Sequence, residues 1–301
     1  MTDLATLNTQ FGIDNHLVFT SGTGGLTVAT INNRHAEAVV ALHGGHVLSF
    51  QPHGHQPVLW LSEYSHYTLG KAIRGGIPVC WPWFANHPSD PGKPSHGFAR
   101  TTLWTVIGSD TWADGSTQLR LELDDSAATQ ALWPYVFQLE LVVTVGSALQ
   151  VDLNVHNPGN EPFVCTDALH TYFSVSDITN VSVLGLEDVS YLDKVDNGAL
   201  KTQQGPITFT TETDRIYLAT TADCLIVDSA WQRRIRVAKQ GSRTTVVWNP
   251  WIEKAQRMAD FGDEEYHTMV CVETTNAADD VITVSPGGSH RLQTLINVET
   301  D

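Results

Sequence analysis

The chain has 301 residues, of which 42% are hydrophobic and 9% aromatic, a composition typical of a globular protein with a large core. Its 33 acidic residues outnumber its 17 basic residues, which gives a formal net charge of −16. Such a charge repels nucleic acids and anionic membrane surfaces, so we expect neither as a partner. If the chain binds an anionic ligand, local cationic side chains have to overcome the charge of the whole molecule.

The N-terminus and the cysteines indicate the cellular compartment. The opening sequence MTDLATLNTQFGIDNHL has neither the basic nor the apolar segment of a signal peptide. No apolar run in the sequence approaches the length of a membrane span. Cys80, Cys165, Cys224 and Cys271 lie far apart and form no CxxC motif, which favours free thiols in a reducing compartment. We therefore expect a cytoplasmic protein.

The first half of the chain is dominated by strand patterns. Short β-branched or apolar runs separated by turn residues predict strands at 26–31, 36–43, 47–51, 58–61, 103–107, 117–124, 137–145 and 149–156. The clearest alternation places Leu119, Leu121 and Leu123 on one face of the strand 117–124. A short helix is predicted at 126–133. It is expected to end before Pro134, because proline cannot continue a helix.

The second half continues in the same style. Strands are predicted at 163–175, 181–186, 216–221, 225–228, 234–238, 244–248, 266–274, 281–284 and 291–298. Asn249 and Pro250 read as the N-cap and first position of a second short helix at 251–258. No repeat or linker interrupts the pattern. The sequence thus predicts one all-β domain over 1–301, a large antiparallel sandwich with a few short helices.

One segment, 73–100, differs from the rest of the chain. Its sequence IRGGIPVCWPWFANHPSDPGKPSHGFAR is rich in proline and aromatic residues and carries Arg74 and Arg100 near its ends. Proline lacks the backbone N–H that helices and inner strands need, so we expect a long, stiff surface loop. The two guanidiniums suit a phosphate or carboxylate. Alternatively, the loop is structural and its arginines pair with acidic side chains.

His170 is a candidate site residue within the predicted strand 163–175. The even-numbered positions of that strand form a small polar face, and the odd-numbered positions are mostly apolar. A histidine on such a face can look into a cleft. The alternative is a structural histidine that is hydrogen-bonded to its neighbours.

Glu273 ends the apolar run MVCVE and is a second candidate. A carboxyl after four apolar residues is expected to be partly desolvated, which raises its pKa toward the range that a general base needs. The alternative is a strand-end glutamate in solvent. Nothing in the sequence spacing shows that His170 and Glu273 meet.

A group of histidines raises the question of a metal site. His53 and His55, followed by Glu63, partly match the cupin pattern, and His43 and His46 lie nearby. The gap to Glu63 is too long for that motif, and His53 and His55 flank a turn glycine. Imidazoles without a matching carboxylate are weak evidence for a metal, so the sequence predicts no metal site.

Six motifs occur in the order typical of one family: IRGGIPVCWPWF, HGFAR, ALHTYF, YLDK, VVWNPW and MVCVE. The sequence resembles the D-hexose-6-phosphate mutarotases (glucose-6-phosphate 1-epimerases) of the aldose 1-epimerase superfamily. The resemblance covers residues 36–296. It implies a galactose mutarotase-like β-supersandwich, which agrees with the predicted strands.

The resemblance also implies the site. The histidine of ALHTYF, His170, is the expected catalytic acid, and the glutamate of VCVE, Glu273, is the expected base. The implied substrate-binding residues are Arg74, His96, Arg100 and Asp193. Some relatives carry a glutamine directly before HGFAR, where this chain has Ser95.

The implied reaction interconverts the α and β anomers of a hexose 6-phosphate, glucose 6-phosphate above all. The base takes the C1 hydroxyl proton, the acid protonates the ring oxygen from the other side of the bond, and both roles reverse on closure. No metal or organic cofactor is needed, and a monomer suffices. The alternatives are an aldose 1-epimerase for free sugars and a non-catalytic carbohydrate-binding protein.

Overall fold

Large antiparallel sheets are the main structural elements of residues 3–300, the part of the chain that the computed structural model describes. The largest sheets have nine and eight strands, and they are accompanied by a four-stranded and a two-stranded sheet. The strands pair antiparallel throughout these sheets. The predicted all-β fold of large antiparallel sheets with a few short helices is therefore confirmed.

The strands are numbered in chain order. They are β1 (Leu17–Ser21), β2 (Thr27–Asn32), β3 (Ala36–Ala41), β4 (His46–Pro52), β5 (Val79–Cys80), β6 (Thr105–Thr111), β7 (Thr117–Asp124), β8 (Gln138–Val145), β9 (Ala148–His156), β10 (Phe163–Cys165), β11 (Asp167–Leu169), β12 (Tyr172–Ser174), β13 (Val181–Leu184), β14 (Ser190–Asp193), β15 (Ala199–Thr202), β16 (Ile207–Thr208), β17 (Thr213–Tyr217), β18 (Cys224–Asp228), β19 (Arg233–Gln240), β20 (Thr244–Asn249), β21 (Met269–Asn276), β22 (Ile282–Val284) and β23 (Ser289–Thr300). The nine-stranded sheet has the order β16-β13-β18-β19-β23-β9-β8-β7-β6. The eight-stranded sheet has the order β15-β14-β17-β20-β21-β11-β5, with β12 also paired to β21.

The helices are short. They are α1 (Leu4–Phe11), α2 (Ala127–Leu132) and α3 (Trp251–Ala255), with 3-10 turns at Thr23–Gly25, Ala99–Thr101, Ile178–Asn180 and Glu265–Thr268. The predicted helix at 251–258 ends three residues early. The Asn249 side chain accepts the backbone N–H of Trp251, but the helix starts one residue later than predicted, because Asn249 ends β20 and Pro250 is the N-cap. The sequence patterns missed α1 and β1, which the Asn8 side chain joins through two hydrogen bonds to the Phe19 backbone.

Alternating side chains fill the space between the sheets. Leu119, Leu121 and Leu123 of β7 are buried while their neighbours are partly exposed, as the alternation predicts. One apolar cluster contains buried residues from Leu7 to Ile296. The four cysteines are free and buried, which agrees with the prediction of unpaired thiols. Within residues 3–300, no helix has the length and apolarity to cross a membrane.

The predicted strand 163–175 is broken into three pieces. Strands β10, β11 and β12 are separated at Thr166 and at His170–Thr171. The breaks arise because the backbone N–H groups of Thr166 and His170 donate to the carbonyls of Pro82 and Pro78, at 3.0 and 3.1 Å. His170 therefore lies between strands rather than on a continuous polar face. The predicted strand 58–61 forms only isolated bridges.

The segment 73–100 is a surface loop only in its second half. Ile77, Val79 and Trp81 are fully buried, and β5 pairs with β11 at the edge of the eight-stranded sheet. Two glycines with positive φ, Gly75 and Gly76, let the backbone pass close to neighbouring chain segments. A Cβ on Gly76 would lie 2.3 Å from the carbonyl oxygen of Val47. The expectation of a surface loop was thus wrong for 73–83.

Candidate active site

A cavity of about 230 Å³ lies over one face of the eight-stranded sheet. Strands β12, β17, β20 and β21 form its floor, and the segment 73–100 and the region of α3 form its walls. Its lining consists of Arg74, Phe84, Ala85, His96, His170, Tyr172, Lys194, Asp214, Ile216, Val246, Trp248, Lys254, Met258 and Glu273. Four of the six residues that the sequence predicted for the site therefore meet here.

His170 and Glu273 form the chemical centre of the cavity. Nε2 of His170 lies 3.4 Å from Oε1 of Glu273, and both side chains are almost fully buried. Strand β21 carries Glu273, and the break between β11 and β12 carries His170. The imidazole stacks on the Tyr172 ring, with centroids 4.9 Å apart, which fixes its plane. The predicted acid and base are thus neighbours rather than groups on opposite sides of a cleft.

Burial drives both members of this pair toward their neutral forms. Burial, assisted by the charges of Arg100 and Arg74, lowers the pKa of His170 to about 3. Burial, with a contribution from Asp214, raises the pKa of Glu273 well above its usual range. A neutral imidazole beside a protonated carboxyl has the same number of protons as an imidazolium beside a carboxylate. The pair therefore holds one transferable proton.

His96 faces His170 across the cavity, with ring centroids 5.5 Å apart. Its Nδ1 accepts the backbone N–H of Ala85 at 3.2 Å, so the neutral ring carries its proton on Nε2. Burial and the charge of Arg100 hold the pKa of His96 well below its usual range. His96 is therefore a hydrogen-bond donor that remains uncharged at neutral pH.

Arg74 lines the cavity but already has an acidic partner. Its guanidinium makes a two-pronged ion pair with Asp260, with Nη2 to Oδ2 at 3.1 Å and Nε to Oδ2 at 3.2 Å. Its Nη1 also donates to the Tyr172 hydroxyl at 2.9 Å. These contacts fix the guanidinium in the wall and neutralise much of its charge. Arg74 therefore both borders the cavity and pairs with an acid, so the two alternatives from the sequence do not exclude each other.

Arg100 and Asp193 do not belong to the cavity lining that the described residues form. Arg100 donates to the carbonyl of Ser95 at 2.9 Å and reaches the site only through its charge. The carboxylate of Asp193 pairs with Lys201 at 2.8 Å and accepts the backbone N–H of Val195. The Ser95 side chain is likewise outside the lining. The structure thus brings Arg74 and His96 to the cavity lining, whereas the side chains of Arg100 and Asp193 lie outside it.

Three charged residues of the lining escaped the sequence analysis. Lys194 directly follows β14, and its backbone N–H donates to the carbonyl of Asp214 at 2.8 Å. Lys254 of α3 binds Glu212 at 2.8 Å and Asp214 at 3.3 Å. Lys194 makes no ion pair with any of residues 3–300. Lys194 is the last residue of the YLDK motif, so the motif is a sequence signal for it. No motif in the sequence marks Asp214.

Three of the four histidines of the metal hypothesis instead bind backbone carbonyls. His43, His46 and His53 each bond through Nε2 to a backbone carbonyl, of Lys71, Gly75 and Asn33 respectively, at 2.7 Å. These partners lie in different places, so the three imidazoles do not converge. Within residues 3–300, a compact group of metal-ligating types occurs instead at His170, Cys271 and Glu273.

A larger concavity of about 710 Å³ adjoins the cavity and shares Met258 with it. Its charged lining is acidic, formed by Glu63, Asp263, Glu264 and Glu265. An anion is repelled there, and a neutral sugar meets neither an imidazole nor a buried carboxyl. The smaller cavity is the better candidate because it combines cations, an acid–base pair and aromatic rings.

Known proteins resemble this chain over most of its length. The family model "Aldose 1-epimerase" matches residues 27–297. A protein of Escherichia coli named "Putative glucose-6-phosphate 1-epimerase" is 39% identical over 272 residues, which cover 90% of each chain. A protein of the same name from Cenchrus ciliaris is 36% identical over 267 residues, 86% of this chain and 80% of the relative.

A crystal structure from Salmonella typhimurium, described as a "putative mutarotase (YeaD)", superimposes with a TM-score of 0.90 and 35% sequence identity. The superposition covers 97% of this chain and 96% of the Salmonella typhimurium chain. The resemblance that the six motifs indicated is thereby confirmed, and with it the mutarotase-like fold. The chain belongs to the aldose 1-epimerase family.

Proposed function

We propose that the protein interconverts the α and β anomers of hexose 6-phosphates, with glucose 6-phosphate as its substrate. The observation that carries this proposal is the buried His170–Glu273 pair, 3.4 Å apart, in a cavity with cationic side chains. The relatives named as glucose-6-phosphate 1-epimerases support the choice of a phosphorylated sugar.

In the proposed mechanism, His170 and Glu273 exchange protons with two oxygens of the sugar, the C1 hydroxyl and the ring oxygen. Transfer of the shared proton from Glu273 to His170 creates a carboxylate and an imidazolium. The carboxylate then takes the proton of the C1 hydroxyl, while the imidazolium protonates the ring oxygen. The bond between C1 and the ring oxygen breaks, and C1 becomes an aldehyde. Both oxygens are attached to C1, so two adjacent side chains can serve them.

Ring opening returns the pair to its neutral form, with the proton on Glu273. The C1–C2 bond then rotates, and the same steps in reverse close the ring as either anomer. Every proton that leaves one group arrives at another, so the cycle needs no Lewis acid and no redox cofactor. The stacked Tyr172 ring and the neutral His96 would hold the sugar against the pair.

Two cations are proposed to receive the phosphate. Arg74 offers a fixed, partly neutralised guanidinium, and Lys194 offers an ammonium without an ion pair among the described residues. Arg100 contributes through its charge alone. We assign the hydroxyl contacts of the sugar to Asp214 and Lys254, because they line the cavity and Asp193 does not.

An epimerase for free aldoses is the second candidate. The observation in its favour is the ion pair between Arg74 and Asp260, which reduces the attraction of the arginine for a phosphate. A carbohydrate-binding protein without activity is disfavoured, because binding alone does not need a buried acid–base pair.

One experiment separates these functions. NMR exchange spectroscopy measures the rate between the anomers of glucose 6-phosphate and of glucose, with and without protein. We expect acceleration of both and a preference for the phosphate. Replacing Lys194 by Ala should lower kcat/KM for the phosphorylated sugar roughly tenfold, as expected for one charge-assisted hydrogen bond, and leave glucose almost unchanged.

Lys201→Ala is the matched control, since Lys201 lies on the neighbouring strand β15 and pairs with Asp193 outside the cavity. It should retain the wild-type preference. Equal losses for both sugars in Lys194→Ala would favour the free-aldose epimerase. The absence of any acceleration would favour a binding protein.

We infer further that the chain works as a single domain and as a monomer in the cytoplasm. One apolar cluster joins residues from both ends of the chain, and the cavity lining comes from one chain. The four free thiols support a reducing compartment.

A further inference from the structure

A third side chain with metal-binding chemistry stands beside the acid–base pair. One ligand atom each of His170, Cys271 and Glu273 lies within 4.8 Å of the others. Cys271 and Glu273 are two residues apart on β21, so their side chains share one face of the sheet. Cys271 lies opposite Tyr172 and Trp248 on the neighbouring strands, beneath the two aromatic rings of the cavity. The mechanism above makes no use of this thiol.

We propose that His170, Cys271 and Glu273 form a binding site for a thiophilic divalent cation of the zinc class, which switches the enzyme off. An imidazole nitrogen, a thiolate and a carboxylate are the three ligand types that zinc takes from proteins. A site of this kind keeps three protein ligands and leaves a fourth position open. His170 and Glu273 line the cavity, from which water or an anion would complete the shell.

The geometry requires little movement. Zinc bonds of about 2.0–2.3 Å place the ligand atoms of a tetrahedral ion roughly 3.5 Å apart. The His170 and Glu273 atoms are already 3.4 Å apart, and the widest separation in the group is below 4.8 Å. A contraction of about 1 Å at the cysteine therefore closes the site.

A buried atom that lacks a hydrogen bond supports the same site. Oε2 of Glu273 has no hydrogen-bond partner among residues 3–300. An ion bound by the carboxylate gives this side chain a partner that the free protein does not provide. The neighbouring charges of Arg74 and Arg100 act against a cation, whereas that of Asp214 favours it, so we expect reversible rather than permanent binding.

Occupation of the site removes the two groups that exchange protons with the sugar. The ion displaces the thiol proton of Cys271 and the carboxyl proton of Glu273 to solvent, and it occupies the lone pair of His170. The predicted inhibition therefore rests on the proposed function, but binding of the ion does not. The cation is an inhibitor and not a cofactor, so the two proposals can fail separately.

Cobalt(II) reports on the site directly, because a cobalt–thiolate bond gives charge-transfer absorption in the near ultraviolet. Titration of the full chain should produce this band with one equivalent of cobalt. Cys271→Ser should lose it, and Cys224→Ser should keep it. Cys224 is an equally buried free thiol on the other large sheet, which makes it the matched control. Cys271→Ala, checked by circular dichroism, replaces Cys271→Ser if the serine variant does not fold.

Activity provides the second measurement. Zinc at micromolar concentration should slow wild-type anomer exchange at least tenfold, and EDTA should restore it. The variant at Cys271 should need at least tenfold more zinc, with its activity otherwise unchanged. A missing cobalt band, or equal zinc sensitivity of wild type and the Cys271 variant, overturns the proposal. Loss of wild-type activity with EDTA overturns it as well, because the metal would then be a cofactor. If the protein shows no exchange activity at all, the cobalt band alone decides.

Discussion

At the scale of single residues, one physical effect acts on His170 and Glu273 in opposite directions. Burial removes the solvation of a charge, so it lowers the pKa of a base and raises that of an acid. In the cavity, the shared proton therefore resides on Glu273, the weaker acid of the pair. Oε1 of Glu273 lies 3.4 Å from Nε2 of His170. A sugar that opens and closes needs such a donor and acceptor side by side.

Replacing His170 by Asn should reduce catalysed anomer exchange by about a hundredfold to ten-thousandfold, the usual contribution of general acid–base catalysis. Asn retains a polar group of smaller size, and the side chain borders the cavity rather than the core, so the fold should persist. The exchange rate from NMR and the unfolding midpoint are the two measurements. A variant that folds and keeps near-wild-type exchange would remove His170 from the mechanism.

The pH profile should reflect the pair and not an ordinary histidine. Below a pH near 3, His170 gains a proton and the pair loses its base, because burial lowers the pKa of His170 to about 3. As the pH rises through the elevated pKa of Glu273, the carboxyl loses the proton that the pair transfers, and burial places this limb well above the usual glutamate pKa. Between these limits kcat/KM should be level. Glucose as substrate avoids the ionisation of the phosphate, and an acid limb near the ordinary histidine pKa of about 6.5 contradicts the assignment.

At the scale of elements, the segment 73–100 organises the site because it passes through the core. Its first half pairs with β11 and accepts the backbone N–H groups that break the strand 163–175. Those breaks turn His170 toward Glu273. The glycines at its start permit this path, since they take positive φ values close to neighbouring backbone.

Gly76→Ala should therefore destabilise the protein by about 2–4 kcal/mol, the sum of left-handed backbone strain and steric overlap. The added Cβ would lie 2.3 Å from the Val47 carbonyl oxygen and 2.9 Å from Nε2 of His46. Gly54→Ala is the control, because Gly54 also has positive φ but open space around it, so it should cost only about 1–2 kcal/mol. Urea unfolding measures both. Equal losses in the two variants would show that the contacts of Gly76 do not matter.

Asp193 and Asp214 lie on the paired strands β14 and β17, and variants of the two residues test which aspartate binds the sugar hydroxyls. Asp214 of β17 lines the cavity, whereas Asp193 of β14 is held by Lys201. Asp214→Asn should lower kcat/KM about tenfold to a hundredfold for both sugars, because a hydrogen bond to a charged group is weakened. Asp193→Asn should change it by less than about twofold, because this carboxylate lies outside the cavity and pairs with the partly exposed Lys201. The reverse result would restore the role that the YLDK motif implied.

At the scale of the whole molecule, the net charge of −16 opposes the approach of a sugar phosphate. A local cation has to counteract that field at the cavity mouth, and both interactions are screened by salt. The loss caused by Lys194→Ala for glucose 6-phosphate should therefore be larger at 0.01 M than at 1 M salt, where the screening lengths are about 30 and 3 Å. Glucose has no charge, so its kcat/KM serves as the control. A loss independent of ionic strength would argue against a direct role of the Lys194 charge.

The sequence by itself determined the all-β antiparallel class, the position of many strands and the identity of the two residues at the centre of the cavity. The alternation within β7 is a local property, so the sequence alone predicts that Leu119, Leu121 and Leu123 lie on the buried face. The motifs around His170 and Glu273 are likewise local features of the sequence. Such features can be read from the sequence because each one consists of residues that are neighbours along the chain.

Only the tertiary structure decided which charged groups share the cavity. Asp214 and Lys194 meet because β17 and the end of β14 are hydrogen-bonded neighbours in the eight-stranded sheet. Arg74 meets Asp260 across 186 residues of sequence. No local pattern encodes such pairings, because they depend on strand order and on the path of a buried loop. Burial, which sets the protonation of His170 and Glu273, is for the same reason a property of the folded chain alone.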